Sequence, residues 1–346
     1  MNVSQPETDG LDDQVRMIDE SAHAILRNDR ERARKLRFTK PGFDRAKWAE
    51  FADLGWLMLR LGEDSGGLGL GMRELCTIST RMGQELTPEP VLAAALVASV
   101  VPAAQRDRLF AGDEIILPAF AAFGNKPPVL TENRLTGKVA PILSGLAADA
   151  FVVQTENGAA LLQADAPGVA LIEQPSHDGG YFGVLSMDAA VAQHIDSDMG
   201  RIREEATLAT AAYLLGLADS ALALTLEYMK ERVQFNKPIG SFQALQHRCV
   251  DMLLELRLGQ AALNVAVSAL DSKQDSNTVA LNVSLAKARA TRACRIITQE
   301  AIQFHGGIGY TDEADIGLYL RKCMAISGTF GSEQFHRNRA FSLLER

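Results

Sequence analysis

A chain of 346 residues with 47% hydrophobic and 23% charged side chains can bury a sizeable apolar interior in two or three packed regions and needs no disulfide staples. Its formal net charge of −8 excludes a nucleic-acid surface, because phosphate binding needs a basic footprint and 43 acidic side chains outnumber 35 Lys and Arg. Cys76, Cys249, Cys294 and Cys323 form no Cys-x-x-Cys pair and have no His at ligand spacing, so they read as reduced packing thiols and no metal site is expected.

The leading stretch, MNVSQPETDGLDDQ, is polar and acidic, and no uninterrupted apolar run reaches the roughly 18 residues that a membrane span requires. A cytoplasmic protein without a membrane span is expected. Val15, Ile18, Ala22, Ile25 and Leu26 recur at helical spacing. After the charged run RNDRERARK, a second amphipathic segment centres on Trp48, Phe51, Leu54 and Leu57. Residues 62–71, GEDSGGLGLG, carry a glycine density that a helix interior does not accommodate, at about 1 kcal/mol per Gly relative to Ala. A connection between helices is expected there rather than a Walker-type phosphate cradle, which would end in Gly-Lys and Ser or Thr.

Between about Gly112 and Ser197 the texture changes to short apolar runs, at 115–117, 149–154, 159–164 and 169–172, separated by Gly, Pro, Asn and Asp. These predict a small β domain. From Met199 onward, Ala- and Leu-rich segments at 206–232, 242–270, 276–304 and after Asp315 predict an antiparallel helical bundle. The expected fold is α+β, mainly α: a helical domain over 1–113, a β domain over 114–198 and a four-helix bundle over 199–346.

Residues 231–248, ERVQFNKPIGSFQALQHR, straddle a corner between two of these helices, with Pro238 and Gly240 opening the connection. Arg232 offers a forked guanidinium to a pyrophosphate, Phe235 a face to a ring, and Gln243 an amide to a base edge or ribose. The same Arg and Gln also suit plain helix capping, and spacing alone leaves both readings open. Residues 301–311, AIQFHGGIGYT, end a helix in two glycines, which allow close approach of a backbone or ligand, and free N–H groups at such a turn hold anionic oxygen. By itself this is a helix C-terminus followed by a turn.

In this order, after a β domain, the two stretches resemble the acyl-CoA dehydrogenase family. The resemblance extends through WAEFADLGWLML and SGGLGLGMRELCTISTRMGQEL to ERVQFNKPIGSFQALQHRCVDM and AIQFHGGIGYTDEADIGLYLRK. It implies the acyl-CoA dehydrogenase fold, with FAD bound between the β domain and the bundle and across a subunit interface. Arg232, Gln234 and Phe235 match positions that touch the pyrophosphate and adenosine of a neighbouring subunit's FAD. Gln243 matches the adenosine-side amide, and Gln303, Gly306 and Gly307 the segment that meets the pyrophosphate from the other chain. The resemblance also implies an acyl-CoA substrate, whose α-proton goes to a carboxylate and whose β-hydride goes to the flavin, with electron-transfer flavoprotein as electron acceptor.

The family's base is most often a Glu just before Gly-Thr or Gly-Ser, and in the matching stretch, TFGSEQFHR, Phe330 stands there. Glu333, three residues on, reads as charge at a helix N-terminus. The family's alternative base position falls on Ala206, next to Glu204 and Glu205, and a one-residue offset turns a helical side chain by ~100°. Glu205 is the candidate base of this chain, and a solvated helix face is its other reading. Pro141 and Leu143 replace groups that cover or hydrogen-bond the isoalloxazine in active members.

These departures are similar to small subunits of the two-gene α2β2 enzymes of the pimeloyl-CoA and steroid side-chain types. There one subunit carries the base and the other completes the FAD site. The expected function is FAD-dependent α,β-desaturation of a bulky or carboxylated acyl-CoA, in a heterotetramer with a larger acyl-CoA dehydrogenase subunit. A homo-oligomer that uses Glu205, and a non-catalytic acyl-CoA- or protein-binding scaffold, are the alternatives. Segments as apolar as AAYLLGLADSALALTL and AALNVAVSALDS add the expectation of a large subunit interface.

Overall fold

A computed structural model describes residues 7–27 and 29–345; the first six residues of the acidic leading stretch lie outside the described residues. The chain begins with α1 (Glu7–Leu26), α2 (Asp29–Leu36) and α3 (Arg45–Asp53), the last capped by Asp44, whose carboxylate accepts from the Ala46 amide at 2.9 Å. Residues 62–71 form a connection, and a Cβ on Gly67 would fall 2.1 Å from the Leu61 carbonyl oxygen. Then come α4 (Met72–Gln84), α5 (Val91–Val97) and α6 (Ala103–Phe110).

Eight strands follow: β1 (Ile116–Ala119), β2 (Val129–Thr131), β3 (Arg134–Leu143), β4 (Ala150–Thr155), β5 (Gly158–Gln163), β6 (Val169–Pro175), β7 (Tyr181–Val191) and β8 (Gln193–Ile195). The C-terminal region holds α7 (Met199–Glu231), a hairpin of β9 (Val233–Gln234) and β10 (Lys237–Pro238), α8 (Gln243–Asp271), α9 (Ser276–His305), α10 (Ile316–Ile326) and α11 (Glu333–Leu344). The order of helical, β and helical regions is the expected one. The last segment differs, because a turn at 327–332 with Gly331 at φ +106° divides it into two helices.

By packing, the chain forms two compact units. One comprises Met1–Arg32, Gly71–Thr87 and Leu208–Cys323, and its described residues are helical apart from the β9–β10 hairpin and turns. Its core is α7, where Leu208, Ala211, Leu214, Leu217, Ala218 and Ala221 are all fully buried, as a helix apolar around its whole circumference requires. Glycines let α4 meet α7 backbone to backbone. A Cβ on Gly83 would lie 2.1 Å from the Tyr213 carbonyl oxygen, and one on Gly216 would lie 2.0 Å from that of Thr80. Polar ties flank the crossing: Ser79 Oγ donates to Ala209 O at 2.6 Å and Gln84 Nε2 to Asp219 at 2.6 Å.

The other unit comprises Ala33–Leu70, Pro88–Thr207 and Met324–Arg346 and holds two four-stranded sheets. One runs β1-β4-β5-β8, with β1 parallel to β4 (Ile116 opposite Ala150) and the other pairs antiparallel. The second, β2-β3-β7-β6, is antiparallel throughout. The expected runs became β1, β4, β5 and β6, whereas the two longest strands, β3 and β7, were not among them, their apolar residues being interrupted by Gly, Pro, Ser and Asp. Irregularities in their pairing between Leu135 and Gly137 and between Val139 and Ile142 accommodate Gly137 and Pro141, residues that argue against a strand in the sequence.

Although no uninterrupted apolar run announces a span, α7 and α8 are long and apolar enough to cross a membrane by length and composition. In α7, 72% of that window is buried in the protein, the mark of a core helix; in α8 it is 39%. The uncovered part of α8 is a stripe of Val250, Leu253, Leu254, Leu258 and Val265, each 41–56% exposed.

Candidate functional site

The expected cofactor residues all lie in the helical unit. At the end of α7 the Arg232 amide still bonds the Tyr228 carbonyl, and the chain then turns through a two-residue hairpin in which Gln234 faces Lys237 and Val233 faces Pro238. Phe235 (φ +53°) and Asn236 (φ +64°) are both left-handed, as a type I′ turn requires. Asn tolerates this conformation, whereas Phe is strained by about 1–2 kcal/mol, and the Phe235 ring is 87% exposed. A strained aromatic directed into solvent serves something other than this chain's own core. The corner was legible in the sequence as a connection but not as a hairpin, because two-residue strands have no periodicity.

Arg232, Gln234 and Gln243, the first residue of α8, are exposed, and the Arg232 guanidinium has no ion-pair partner among the described residues. Gln234 Nε2 donates to its neighbour Val233 O at 2.8 Å, which leaves its amide oxygen outward. At the end of α9 the exposed Gln303 lies one turn before Gly306, which caps the helix at φ +63°. A Cβ on Gly306 or Gly307 would meet no heavy atom within 4 Å, so the space over this turn is open.

Two contacts bring the hairpin and the glycine turn to one end of the unit. The buried His305 ring stacks on Tyr228, one turn before Arg232, with centroids 4.3 Å apart, and its Nδ1–H donates to Ala301 O at 2.8 Å. Burial holds its pKa below the ordinary value. Arg248 on α8 bonds Glu300 through Nε at 2.8 Å and lies 4.9 Å from the Phe304 ring centre on α9. Tyr228 and Arg248 carried no signal in the sequence; His305 could have been found from its place before the two glycines.

The expected base positions lie in the other unit. Phe330 sits at φ +56° in the turn before α11, and its carbonyl accepts from Nε2 of the buried His336 at 2.7 Å. Its ring meets Phe120 edge-on at 5.6 Å, and Phe123 stacks on Phe335 at 4.4 Å. The Arg203 guanidinium lies 5.2 Å from the Phe120 ring centre and 4.6 Å from that of Phe123, with Arg339 5.6 Å from the latter. Where a carboxylate would be expected, the structure has a stack of aromatic rings and guanidinium groups. Arg203 donates to neutral acceptors, Ala121 O at 2.8 Å and Gln154 Oε1, and burial pulls its pKa down.

The neighbouring carboxylates are engaged. Arg339 binds both oxygens of Glu204, at 3.1 Å to Oε2 and closer to Oε1. Glu205 is 6% exposed, and its Oε1 accepts from Arg60 at 2.8 Å and from Arg201 at 3.3 Å. It is therefore not on a solvated face; it lies in the interior between two guanidiniums. Glu333 is the first residue of α11, where Ser332 Oγ caps the helix by accepting from the Phe335 amide at 3.1 Å. Pro141 and Leu143 lie exposed on β3. This cluster can bind through rings and guanidiniums; Arg339 holds both oxygens of Glu204, and Arg60 and Arg201 hold Glu205 in the interior through its Oε1.

Residues 12–106 match the family described as acyl-CoA dehydrogenase, N-terminal domain, and residues 198–341 match acyl-CoA dehydrogenase, C-terminal domain. The chain is 29% identical over 321 residues to acyl-CoA dehydrogenase FadE27 of Mycobacterium tuberculosis, covering 84% of this chain and 85% of that protein. Among solved structures, it is similar to a chain of the Tcur3481-Tcur3483 steroid ACAD G363A variant, with a TM-score of 0.88, 28% identity and coverage of 97% and 98%. A chain of the ChsE4-ChsE5 complex from Mycobacterium tuberculosis gives a TM-score of 0.85 at 25% identity, with coverage of 100% and 99%.

Proposed function

This chain belongs to the acyl-CoA dehydrogenase family of oxidoreductases, and we propose that it acts as one subunit of a hetero-oligomer that desaturates an acyl-CoA, with the catalytic base supplied by its partner. The observation that carries this reading is the state of the two base positions. One is Phe330 in an aromatic stack; beside the other, Glu204 and Glu205 are both bound by guanidiniums. A base needs a lone pair directed at the proton on the substrate's α-carbon, and a buried carboxylate held by arginines can reorient toward it only by rearranging its ion pairs. The ChsE4-ChsE5 complex and the Tcur3481-Tcur3483 variant are each named for two components, which favours a two-chain assembly here, and the apolar stripe on α8 supplies surface for it.

The corner residues fit FAD at its adenosine and diphosphate end. Arg232 would meet the diphosphate with an unpaired guanidinium, Phe235 and Gln243 the adenosine side, and Gln234 would turn its amide oxygen outward. Gly306 and Gly307 leave the turn uncovered for close approach beside Gln303. When bound, FAD would supply the hydride acceptor for the β-carbon. Electron-transfer flavoprotein as the onward acceptor, a bulky or carboxylated acyl group, and domain limits at 113/114 and 198/199 complete the proposal.

Co-expression with a larger acyl-CoA dehydrogenase subunit tests it. A yellow complex of both chains that oxidises an acyl-CoA, beside an inactive isolated chain, is the expected result. Turnover by the isolated chain, abolished by Glu205→Gln, would return the base to this subunit. A colourless complex that binds acyl-CoA without oxidising it would identify a scaffold instead.

A further inference from the structure

We propose that Arg203 is the receptor for a carboxylate on the acyl group, so that this subunit selects a carboxylate-terminated acyl-CoA over the methyl-terminated ester of the same length. The assignment rests on the chain being an acyl-CoA dehydrogenase subunit, and adds to that a substrate class and the residue that chooses it. It starts from a charge left without its opposite. Arg203 is half-buried on α7, and neutral acceptors hold its guanidinium: Nη2 donates to Ala121 O at 2.8 Å, just beyond β1, and to Gln154 Oε1 on β4. Nε is enclosed without a partner, whereas Nη1 is not enclosed and bonds none of the described residues. Among the described residues Arg203 has no ion-pair partner.

The arginines around it are served differently. Arg60 and Arg201 share Glu205, and Arg339 holds both oxygens of Glu204, the one carboxylate that acts on the Arg203 charge. Arg339 and Glu204 cancel, and the charge of Arg203 remains. Taking a guanidinium out of water without a counter-ion opposes folding, and Met would fill the same stack without the unpaired charge. Stability alone therefore does not account for Arg at this position.

The surroundings define the anion. The guanidinium lies 5.2 Å from the Phe120 ring centre and 4.6 Å from that of Phe123, and these rings fix its plane while its edge stays the donor. Phe330 meets Phe120 edge-on and Phe335 stacks on Phe123; Phe123, Phe330 and Phe335 are only half-buried, so accessible aromatic surface borders the charge. A fixed, planar donor beside apolar surface suits a carboxylate on a hydrocarbon stem, with the oxygens on the guanidinium and the stem against the rings. A free phosphate is more highly charged and hydrated than one guanidinium among rings can compensate. Both base positions of the family border this receptor. Arg203 lies one turn before Ala206 on the same face of α7, and Phe330 reaches it through Phe120.

The test is isothermal titration of the full-length protein, alone and in the partner complex, with adipoyl-, suberoyl- and sebacoyl-CoA beside hexanoyl-, octanoyl- and decanoyl-CoA. Each pair differs only in carboxylate against methyl at the chain end. Wild type should bind the carboxylate ester of at least one pair about ten-fold or more tightly than its methyl counterpart. Arg203→Gln should erase that preference, and Arg203→Lys should recover part of it. Without ligand, Arg203→Met should melt at or above the wild-type temperature while losing the preference, a combination that a purely structural role does not give. Equal affinity within every pair would overturn the receptor and leave the acyl-CoA reading standing, whereas binding of no ester would take down both. Equal affinity together with release of the partner chain by Arg203→Met would also overturn it, and would place the carboxylate on an acidic side chain of the partner. The wild-type comparison decides even where a variant fails to fold.

Discussion

Substitution of Glu205 separates a structural carboxylate from a catalytic one. Its Oε1 receives Arg60 at 2.8 Å and Arg201 at 3.3 Å, and the Glu205 and Arg60 side chains are only 8% and 15% exposed. Glu205→Gln keeps an acceptor oxygen but exchanges charged hydrogen bonds for neutral ones, a loss of about 1–2 kcal/mol. Glu205→Ala leaves the Arg60 guanidinium buried without its counter-charge and should cost about 3–5 kcal/mol. At about 2–4 °C per kcal/mol, the Gln variant should melt a few degrees lower and the Ala variant by about 10 °C or more. Arg60→Met combined with Glu205→Leu should recover part of the Ala loss, because removing both charges removes the unpaired one. The assays are thermal unfolding and acyl-CoA oxidation by the partner complex, where Glu205→Gln should keep kcat within about two-fold of wild type. An unchanged melting temperature together with abolished oxidation would refute this reasoning and make Glu205 the base.

Arg232→Ala should weaken FAD retention by about 1.5–3 kcal/mol, about ten-fold or more in affinity, with Arg232→Lys recovering only part; equal flavin-to-protein ratios after gel filtration would sink the assignment. Because a Cβ on Gly307 meets nothing within 4 Å, Gly307→Ala should leave stability unchanged or raise it by up to about 1 kcal/mol while lowering flavin content, and unaltered flavin would mean that nothing approaches the turn. Lys287 has a folded-state pKa of about 7, lowered by burial, so between about pH 7 and 10 the unfolded chain binds a proton that the native chain does not, and stability rises with pH by up to ~1.4 kcal/mol per unit. Lys287→Met should therefore stabilise most below pH 7 and lose its advantage near pH 10; parallel pH–stability curves for the two proteins would contradict the burial argument. Light scattering should show at least a dimer, and Leu254→Asp, on the exposed stripe of α8, should reduce the assembly, whereas a stable wild-type monomer would undermine the shared-site reading.

The fold was legible where one physical demand acts along the chain. The Ala- and Leu-rich segments that became α7, α8 and α9 must bury apolar surface at helical spacing, so their period is written in the sequence. The glycines of α4 and α7 are less transparent, because Gly83 and Gly216 look like helix weaknesses until each is seen against a carbonyl of the other helix. Strands β3 and β7 escaped because their regularity is broken where Gly137 and Pro141 are accommodated, and that relief comes from the pairing partner.

The same division explains the two halves of the candidate site. The Arg232 hairpin and the Gly306 turn depend on backbone conformation, and left-handed φ and open approach select residue types, Asn and Gly, that can be read singly. The base region depends on pairing between distant positions. Whether Glu205 is a base, a solvated charge or a buried ion depends on Arg60, 145 residues away, and a helical count from Ala206 carries no trace of it. The Phe330 ring likewise takes its meaning from Phe120 in the β region, and the Phe123 ring from Arg203 and Phe335, three separate segments. A missing Glu at position 330 shows that a proton acceptor is absent there; only the packed structure shows that rings and guanidiniums have taken up the surroundings. That is why restoring the carboxylate alone, as Phe330→Glu, should not create a base: the new charge would enter an aromatic stack beside Arg203, and pairing with that guanidinium would leave it in the same clamped state as Glu204 and Glu205.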